Sequence, residues 1–199
     1  MNQPIHLTTP LSGESVRRLK TNDIVTLSGT IYTARDMAHL KLRELQESGK
    51  PLPEALEGSV IFHAGPVVKK ADGGYDLLNI GPTTSIRMES HSDFLGRLGV
   101  KAIVGKGGLG ESSVQAFKKY GMVYLLAAPG CGVLHAQAVN KVKRVHWLEE
   151  MGMPEAIWVL EVKDWGPLIV GMDSQGSSIF QDIKEEGLRK LDSLVKGWK

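Results

Sequence analysis

The sequence has a single cysteine, Cys131, among its 199 residues. One thiol excludes an internal disulfide, a zinc site made of several thiolates, and an iron–sulfur cluster held by several cysteines of this chain. We therefore expect any such cofactor to be held by another chain. Cys131 lies between two glycines and has no activating base nearby, so the sequence favours a small buried residue over a nucleophile.

The sequence also lacks long apolar runs and an excess of charge of one sign. No stretch of about 18 apolar residues is present, and no charged segment followed by an apolar one begins the chain. The 24 basic and 22 acidic residues are mixed and give a formal net charge of +2, which argues against nucleic acid or a membrane as a partner. We expect a soluble, cytoplasmic protein whose residues 1–199 form a single domain.

Strand and helix patterns alternate along most of the chain and predict the α/β class. They predict strands at 23–29, 59–64, 100–104, 122–128, 156–162 and 167–172, and a hairpin of 67–70 with 75–80 around an Asp-Gly turn. They predict helices at 12–20, 36–48, 86–98, 112–120 and 133–142, with Asp36 as the N-cap of the second. A helical tail carries an apolar stripe, which we expect to pack against the sheet of the same domain.

The segment 81–87, Gly-Pro-Thr-Thr-Ser-Ile-Arg, concentrates groups that bind anions. Thr83, Thr84 or Ser85 can cap the following helix, which explains one hydroxyl without any ligand. Three adjacent hydroxyl residues followed by Arg87 exceed the needs of a cap and suit a bidentate grip on a carboxylate. Arg35, just before the start of another predicted helix, repeats the arrangement.

The segment 105–110, Gly-Lys-Gly-Gly-Leu-Gly, matches the G-x-G-x-x-G pattern between a strand and a helix. A dinucleotide site also needs an acidic residue about 20 positions later, and residues 124–129 contain none. The phosphate-wrapping frame of a Walker P-loop is absent too. Lys106 is either a solvated turn residue or a ligand contact, because glycines on both sides let a ligand approach the backbone closely.

The histidines give weaker signals. His39 fits a helix face on which its ring packs, and His63 ends a strand without a clear role. His135 and His146 have no carboxylate or cysteine partner at the spacing of a metal site, so no metal is expected to bind this chain.

Several segments occur in a fixed order: Leu-Thr-Thr-Pro at 7–10, Ser-Gly-Thr at 28–30, Ala-Arg-Asp-Met-Ala-His at 34–39, Phe-His-Ala-Gly-Pro at 62–66, Gly-Pro-Thr-Thr-Ser-Ile-Arg-Met at 81–88, Gly-Lys-Gly-Gly at 105–108 and Gly-Met-Pro-Glu at 152–155. In these segments, and over nearly its whole length, the chain resembles the beta subunit of two-subunit iron–sulfur hydro-lyases, the class I fumarate hydratase and L-tartrate dehydratase family.

The resemblance implies a swivelling β/β/α domain with a central mixed sheet or partly open barrel flanked by helices. It implies a [4Fe–4S] cluster held by three cysteines of an alpha subunit, in a heterodimer or heterotetramer, and no cofactor bound by this chain alone. It also implies that Arg35, Thr83, Arg87 and Lys106 bind a dicarboxylate substrate. Thr83 is then the residue implied in proton transfer, although a threonine hydroxyl is a poor base and we expect binding to be its main role.

The substrate and two further alternatives stay open at this stage. Residues 85–90 and 146–154 resemble the tartrate dehydratase form as closely as the fumarase form, and we favour reversible hydration of fumarate to L-malate over dehydration of L-tartrate to oxaloacetate. A stand-alone dinucleotide- or anion-binding module is a hypothesis from another class. A purely structural regulator of the partner is the third.

Overall fold

Nine strands, seven α-helices and one 3-10 helix form residues 3–196, the part of the chain that this computed structural model describes. In chain order they are β1 (Ile5–Thr8), α1 (Gly13–Arg17), β2 (Ile24–Thr33), α2 (Asp36–Glu47), β3 (Val60–Phe62), β4 (Ala64–Ala71), β5 (Gly74–Pro82), the 3-10 helix (Ser85–His91), α3 (Ser92–Arg97), β6 (Ala102–Gly105), α4 (Glu111–Tyr120), β7 (Val123–Leu126), α5 (Gly132–Gln137), β8 (Val139–His146), α6 (Leu148–Met151), β9 (Ile157–Met172) and α7 (Ile179–Lys196).

The central sheet closes on itself as a five-stranded barrel. Strands β2, β3, β6 and β7 run parallel in that order, and β9 pairs antiparallel with both β7 and β2. Strands β1 and β8 extend the sheet beside β2 and β9, and β4 and β5 form a separate hairpin. The predicted α/β fold with a central mixed sheet or partly open barrel is therefore confirmed.

Alternate residues of the parallel strands pack on opposite sides of the sheet. Phe62, Val104 and Leu125 belong to one buried cluster, which also contains Trp158 and Trp165. Their neighbours Ile61, Ile103 and Tyr124 belong to a second cluster with residues of α2, α3 and α4. The period of two residues thus lets β3, β6 and β7 hold both layers together, and each fully buried side chain contributes about 1.5–3 kcal/mol.

The predicted helix at 133–142 is wrong beyond residue 137, because β8 follows there. Val139, Val142 and Val145 recur every three residues, as on a helix, and all three pack against the barrel core. Register shifts between positions 139 and 141 and between 142 and 144 let residues three apart share one face of a strand. Bulges therefore give β8 the apolar spacing of a helix.

The two strands predicted at 156–162 and 167–172 are one continuous strand, β9, of 16 residues. Where a turn was expected, β9 stays paired with β2, since Trp165 is buried and lies opposite Leu27 of β2. Asp164 has a φ of 49°, and register shifts on the β2 side accompany it. The irregular backbone bends β9 without ending it.

Only the first residue of the apolar stripe of α7 packs against the sheet, so the expectation is wrong for the rest of the stripe. Phe180, in the first turn, packs over Gly108 and Gly171. The later members of the stripe are more than half exposed: Ile183, Leu188, Leu191, Leu194 and Val195. No helix in the described range 3–196 is long and apolar enough to cross a membrane.

Replacing Leu191 with lysine should change the free energy of unfolding by less than about 0.5 kcal/mol, because the side chain is 55% exposed. The matched core variant is Leu125→Ala, at a fully buried position of β7, with an expected cost of about 2–5 kcal/mol. Urea unfolding of both variants checks the contrast. A loss above about 2 kcal/mol for Leu191→Lys would show that the stripe is covered in solution.

Candidate active site

Arg35 lies between the end of β2 and the start of α2, in extended conformation. Its guanidinium lies over Gly65, where a Cβ would come within 2.9 Å of a guanidinium nitrogen, so glycine is needed at that position. The Arg35 Nε lies 3.3 Å from Glu155 Oε1, and Glu155 Oε2 accepts a hydrogen bond of 2.9 Å from the Met37 backbone. Glu155 therefore both pairs with Arg35 and caps α2.

Asp36 is the first residue of α2, and it pairs with Arg87 instead of capping the helix as predicted. The Arg87 Nη2 donates to Asp36 Oδ2 at 2.6 Å, and both side chains are nearly half exposed. Burial alone would raise the pKa of Asp36, but its hydrogen bond and charge interaction with Arg87, together with Arg35, outweigh burial and lower the pKa. The pair ties the 3-10 helix to the start of α2 and brings Arg87 to the residue that follows Arg35.

Backbone hydrogen bonds join the segment of Thr83 to the turn of Lys106. The Ser85 N–H donates to the Lys106 carbonyl at 3.1 Å, and the Lys106 N–H donates to the Thr83 carbonyl at 3.3 Å. Thr84 precedes the 3-10 helix, but its side chain makes no capping hydrogen bond. Capping therefore does not account for the Thr84 hydroxyl. Thr83 and Lys106 are half-buried beside it.

The predicted helix at 86–98 is divided in the structure into the 3-10 helix and α3. The division places Arg87 in the tighter first segment, directly after Thr83 and Thr84. Two contacts link the segments that carry the four predicted residues. Asp36, which follows Arg35 in the chain, pairs with Arg87, and Lys106 bonds to Thr83. Thr83 and Arg87 lie four positions apart, so one run of contacts includes Arg35, Thr83, Arg87 and Lys106.

The start of α4, where a dinucleotide phosphate would bind, is already occupied by Glu89. Its Oε1 accepts hydrogen bonds from the Ser112 hydroxyl at 2.7 Å and the Ser113 N–H at 3.4 Å. A Cβ at Gly110 would lie 2.7 Å from the same oxygen, so this glycine makes room for the Glu89 carboxylate. A carboxylate at the positive end of the helix repels a phosphate, which counts against the dinucleotide hypothesis.

Three buried histidines form a cluster beneath the arginines, a feature that sequence reasoning missed. The His39 ring centroid lies 5.2 Å from that of His63 and 5.0 Å from that of His91. Burial is the main reason that all three have a lowered pKa, with that of His39 at about 4. The rings are therefore neutral at pH 7. The only signal in the sequence was that His39 and His63 lie within two of the segments, 34–39 and 62–66, in which the chain resembles the hydro-lyase family.

The remaining candidates have structural partners. His135 accepts a hydrogen bond of 3.0 Å from Trp165 Nε1, and His146 Nε2 lies 2.8 Å from Glu54 Oε1, a partner distant in sequence. Cys131 is a free, half-buried thiol, so the expectation of a buried residue holds only in part. Within residues 3–196, no three His, Cys, Asp or Glu side chains are grouped to hold a metal ion.

Two arginines, a lysine and two threonines lie on the segments that these contacts join, and groups of these kinds can bind a small anion with more than one negative charge. Comparison with known proteins gives the family of the chain. A family described as "Fumarase C-terminus" matches residues 1–183. The chain therefore belongs to this family, and it is part of a hydro-lyase.

The curated relatives carry two kinds of name. L(+)-tartrate dehydratase subunit beta of Escherichia coli (strain K12) is 40% identical over 191 residues, which is 96% of this chain and 93% of the relative. A Methanocaldococcus jannaschii protein, provisionally given the same name, is 47% identical over 93% of this chain and 95% of its own length. A Geobacillus stearothermophilus protein, provisionally named fumarate hydratase class I, is 41% identical over 96% of this chain but only 36% of its own length.

Proposed function

We propose that this chain is the beta subunit of a cytoplasmic iron–sulfur hydro-lyase that hydrates fumarate to L-malate reversibly. It contributes Arg35, Thr83, Arg87 and Lys106 to a site shared with an alpha subunit in a heterodimer or heterotetramer. The observation that carries the proposal is the run of contacts from Arg35 through Asp36 and Arg87, together with the bond from Lys106 to Thr83. These contacts support a shared site to which this chain gives three cations and the Thr83 hydroxyl.

The proposed roles follow from the charge of the substrate. A four-carbon dicarboxylate has two anionic ends, and its addition–elimination reaction develops further negative charge beside one of them. Arg35 and Arg87, each beside a carboxylate in the free chain, can exchange part of that pairing for the substrate. Lys106 adds a point charge on a glycine turn, where the backbone also comes close to the ligand.

Thr83 is proposed to bind substrate first and to transfer a proton second. Its backbone is fixed on both sides, because its N–H donates to the His63 carbonyl at 2.7 Å and its carbonyl accepts from Lys106. A fixed backbone lowers the entropic cost of ordering this residue against a carboxylate. A threonine hydroxyl deprotonates only with strong help, so binding is the larger contribution.

The cluster is proposed to belong to the partner, because the residues of this chain do not suit it. Cys131 is one thiol where a [4Fe–4S] cluster needs at least three, and it does not belong to the run of contacts that holds the site. When bound by the partner, an iron with a free position supplies Lewis-acid chemistry toward a substrate hydroxyl. The names "subunit beta" of two relatives support an obligatory partner.

L-tartrate is the second candidate substrate. The relatives that match over more than nine tenths of both chains carry the tartrate name, whereas the one named for fumarate is a longer protein. Fumarate and tartrate share both carboxylates and differ in their hydroxyls. The cationic residues of this chain therefore suit either of them.

The test is to mix the purified chain with its anaerobically reconstituted, cluster-bearing partner and to assay malate and tartrate. We expect no turnover by the chain alone and hydro-lyase activity from the mixture, with the preferred substrate given by the ratio of the two kcat/KM values. Calorimetric titration of the chain alone with NAD, FMN and dicarboxylates tests the alternative. Tight nucleotide binding without any partner would overturn the proposal, as would a mixture inactive on both acids.

A further inference from the structure

His63 is hydrogen-bonded both to the strand that leads into the Lys106 turn and to the segment of Thr83. Its N–H donates to the Val104 carbonyl at 2.8 Å, just before the Lys106 turn, and its own carbonyl accepts the Thr83 N–H. Its Nδ1 lies 2.9 Å from the Ser85 hydroxyl oxygen. The side chain therefore adds a link to Ser85 beside the backbone bonds that join the two turns.

The Ser85 hydroxyl lies in the narrowest part of this arrangement. Ser85 is fully buried, and a Cβ at Gly105 would come within 1.9 Å of its hydroxyl oxygen and 3.1 Å of the Tyr124 oxygen. Tyr124 donates to the Gly107 carbonyl at 3.0 Å. A line of polar groups thus leads from His63 and Ser85 to Tyr124 and the Gly107 carbonyl, with hydrogen bonds from His63 to Ser85 and from Tyr124 to Gly107.

The bond between His63 and Ser85 does not need a particular tautomer, because the Ser85 hydroxyl can accept from Nδ1–H or donate to a bare Nδ1. In either case Nδ1 is the ring nitrogen with a partner, since the buried Nε2 has no hydrogen-bond partner within residues 3–196.

We propose that His63 is a positioning residue, which holds Ser85 and thereby sets the spacing between Thr83 and Lys106. The proposal rests on the proposed function, in which these two residues bind the substrate. His63 itself does not touch the ligand. A variant without the His63 ring would still have every cation and hydroxyl of the site, but the segment of Thr83 and the turn of Lys106 could move apart.

The decisive variants are His63→Leu, which removes the bond to Ser85, and His63→Asn, whose amide can donate to Ser85 in place of Nδ1. In the assembled enzyme we expect His63→Leu and Ser85→Ala each to raise KM about tenfold and to change kcat less than threefold. His63→Asn should restore KM to within about threefold of the unsubstituted enzyme. The double variant His63→Leu/Ser85→Ala should be no worse than either single one, because both act through one bond.

The matched control is His135→Leu, which likewise removes a buried histidine ring but lies outside the line. The His135 ring has a hydrogen bond on each nitrogen. We expect it to lower the melting temperature and to leave KM unchanged. Equal KM values for His63→Leu and the unsubstituted enzyme would overturn the proposal. So would equal rises of KM in His63→Leu and His135→Leu, since KM would then follow stability alone.

A second measurement separates this proposal from the proposed function. In the isolated full-length chain, hydrogen exchange of the Ser85 and Lys106 amides should be about tenfold faster in His63→Leu than in His135→Leu, because those two amides join the turns. If the mixture with the partner is inactive but exchange changes as expected, the function fails and the positioning role stands. Unchanged exchange overturns the positioning role. Where His63→Leu does not fold, Ser85→Ala, which removes the same bond from its other end, gives the same comparison.

Discussion

Replacing Arg87 with alanine should lower kcat/KM of the assembled enzyme by tens- to hundreds-fold, while the chain stays folded. The variant loses a charge-assisted hydrogen bond to a substrate carboxylate, which should cost about 2–4 kcal/mol of transition-state stabilisation. The same side chain contributes little to folding, because the Arg87–Asp36 pair is nearly half exposed and exposed pairs contribute about 0–1 kcal/mol. Steady-state kinetics and urea unfolding of one preparation measure both quantities.

Arg97→Ala is the matched control for this variant. Arg97 is also an exposed arginine, and its Nε lies 3.4 Å from Asp93 four residues earlier, away from the run of contacts that defines the site. The Arg97→Ala variant should leave kcat/KM unchanged.

Lys106→Ala should lower kcat/KM to an extent similar to Arg87→Ala. Its control is Lys119→Ala, because the Lys119 ammonium pairs with Asp93. Unchanged kcat/KM in both Arg87→Ala and Lys106→Ala would remove these residues from the substrate site.

Arg87→Lys separates the charge from the geometry of the guanidinium. Lysine keeps the positive charge but loses the planar fork that can bind Asp36 and a carboxylate together. The structure shows that Arg87 already gives one nitrogen to Asp36 at 2.6 Å. A second partner therefore needs the remaining donors of the fork, which explains why an arginine suits this position.

The parts of the fold that could be predicted are those whose signals are local. The Asp-Gly turn of the hairpin needs a positive φ, which Gly73 adopts at 82°, and the short apolar runs became β3, β6 and β7. Where the structure departs from prediction, contacts distant in sequence decide. The valines of β8 have a helical spacing, and only the bulges against β9 bring them to one face of a strand. No local signal shows that α7 leaves the sheet after its first turn.

The candidate site shows the same division. Local chemistry and the family resemblance together predict Arg35, Thr83, Arg87 and Lys106, because each lies on a turn or helix start whose residue types suit an anion. Their counter-ions could not be found in this way. Asp36 meets Arg87 across 51 positions, and Glu155 meets Arg35 across 120 positions. Such pairs follow from the closure of the barrel.

Lowering the pH from 7 to 5 should destabilise the chain through its buried histidines. Burial lowers the pKa of His39 from an ordinary 6.5 to about 4, and Arg43 and His91 beside it act in the same direction against Asp36 and the Arg35 carbonyl. The unfolded chain takes up the proton first, so stability is present above pH 6.5 and is lost as the pH falls toward 4. For His39 alone the loss between pH 7 and pH 5 is about 2 kcal/mol.

His39→Asn should remove the His39 share of that pH dependence, about 2 kcal/mol, and leave the shares of His63 and His91, because asparagine does not titrate and its amide can still donate to the Arg35 carbonyl, which His39 Nδ1 approaches to 2.6 Å. The comparison uses the difference in unfolding free energy between pH 7 and pH 5, which a general loss of packing does not alter. Leu42→Ala, a buried position of the same helix, controls for such a loss: it should cost about 2–5 kcal/mol at both pH values and keep the full difference. An equal difference in His39→Asn and in the unsubstituted chain would show that His39 does not set the acid sensitivity of this fold.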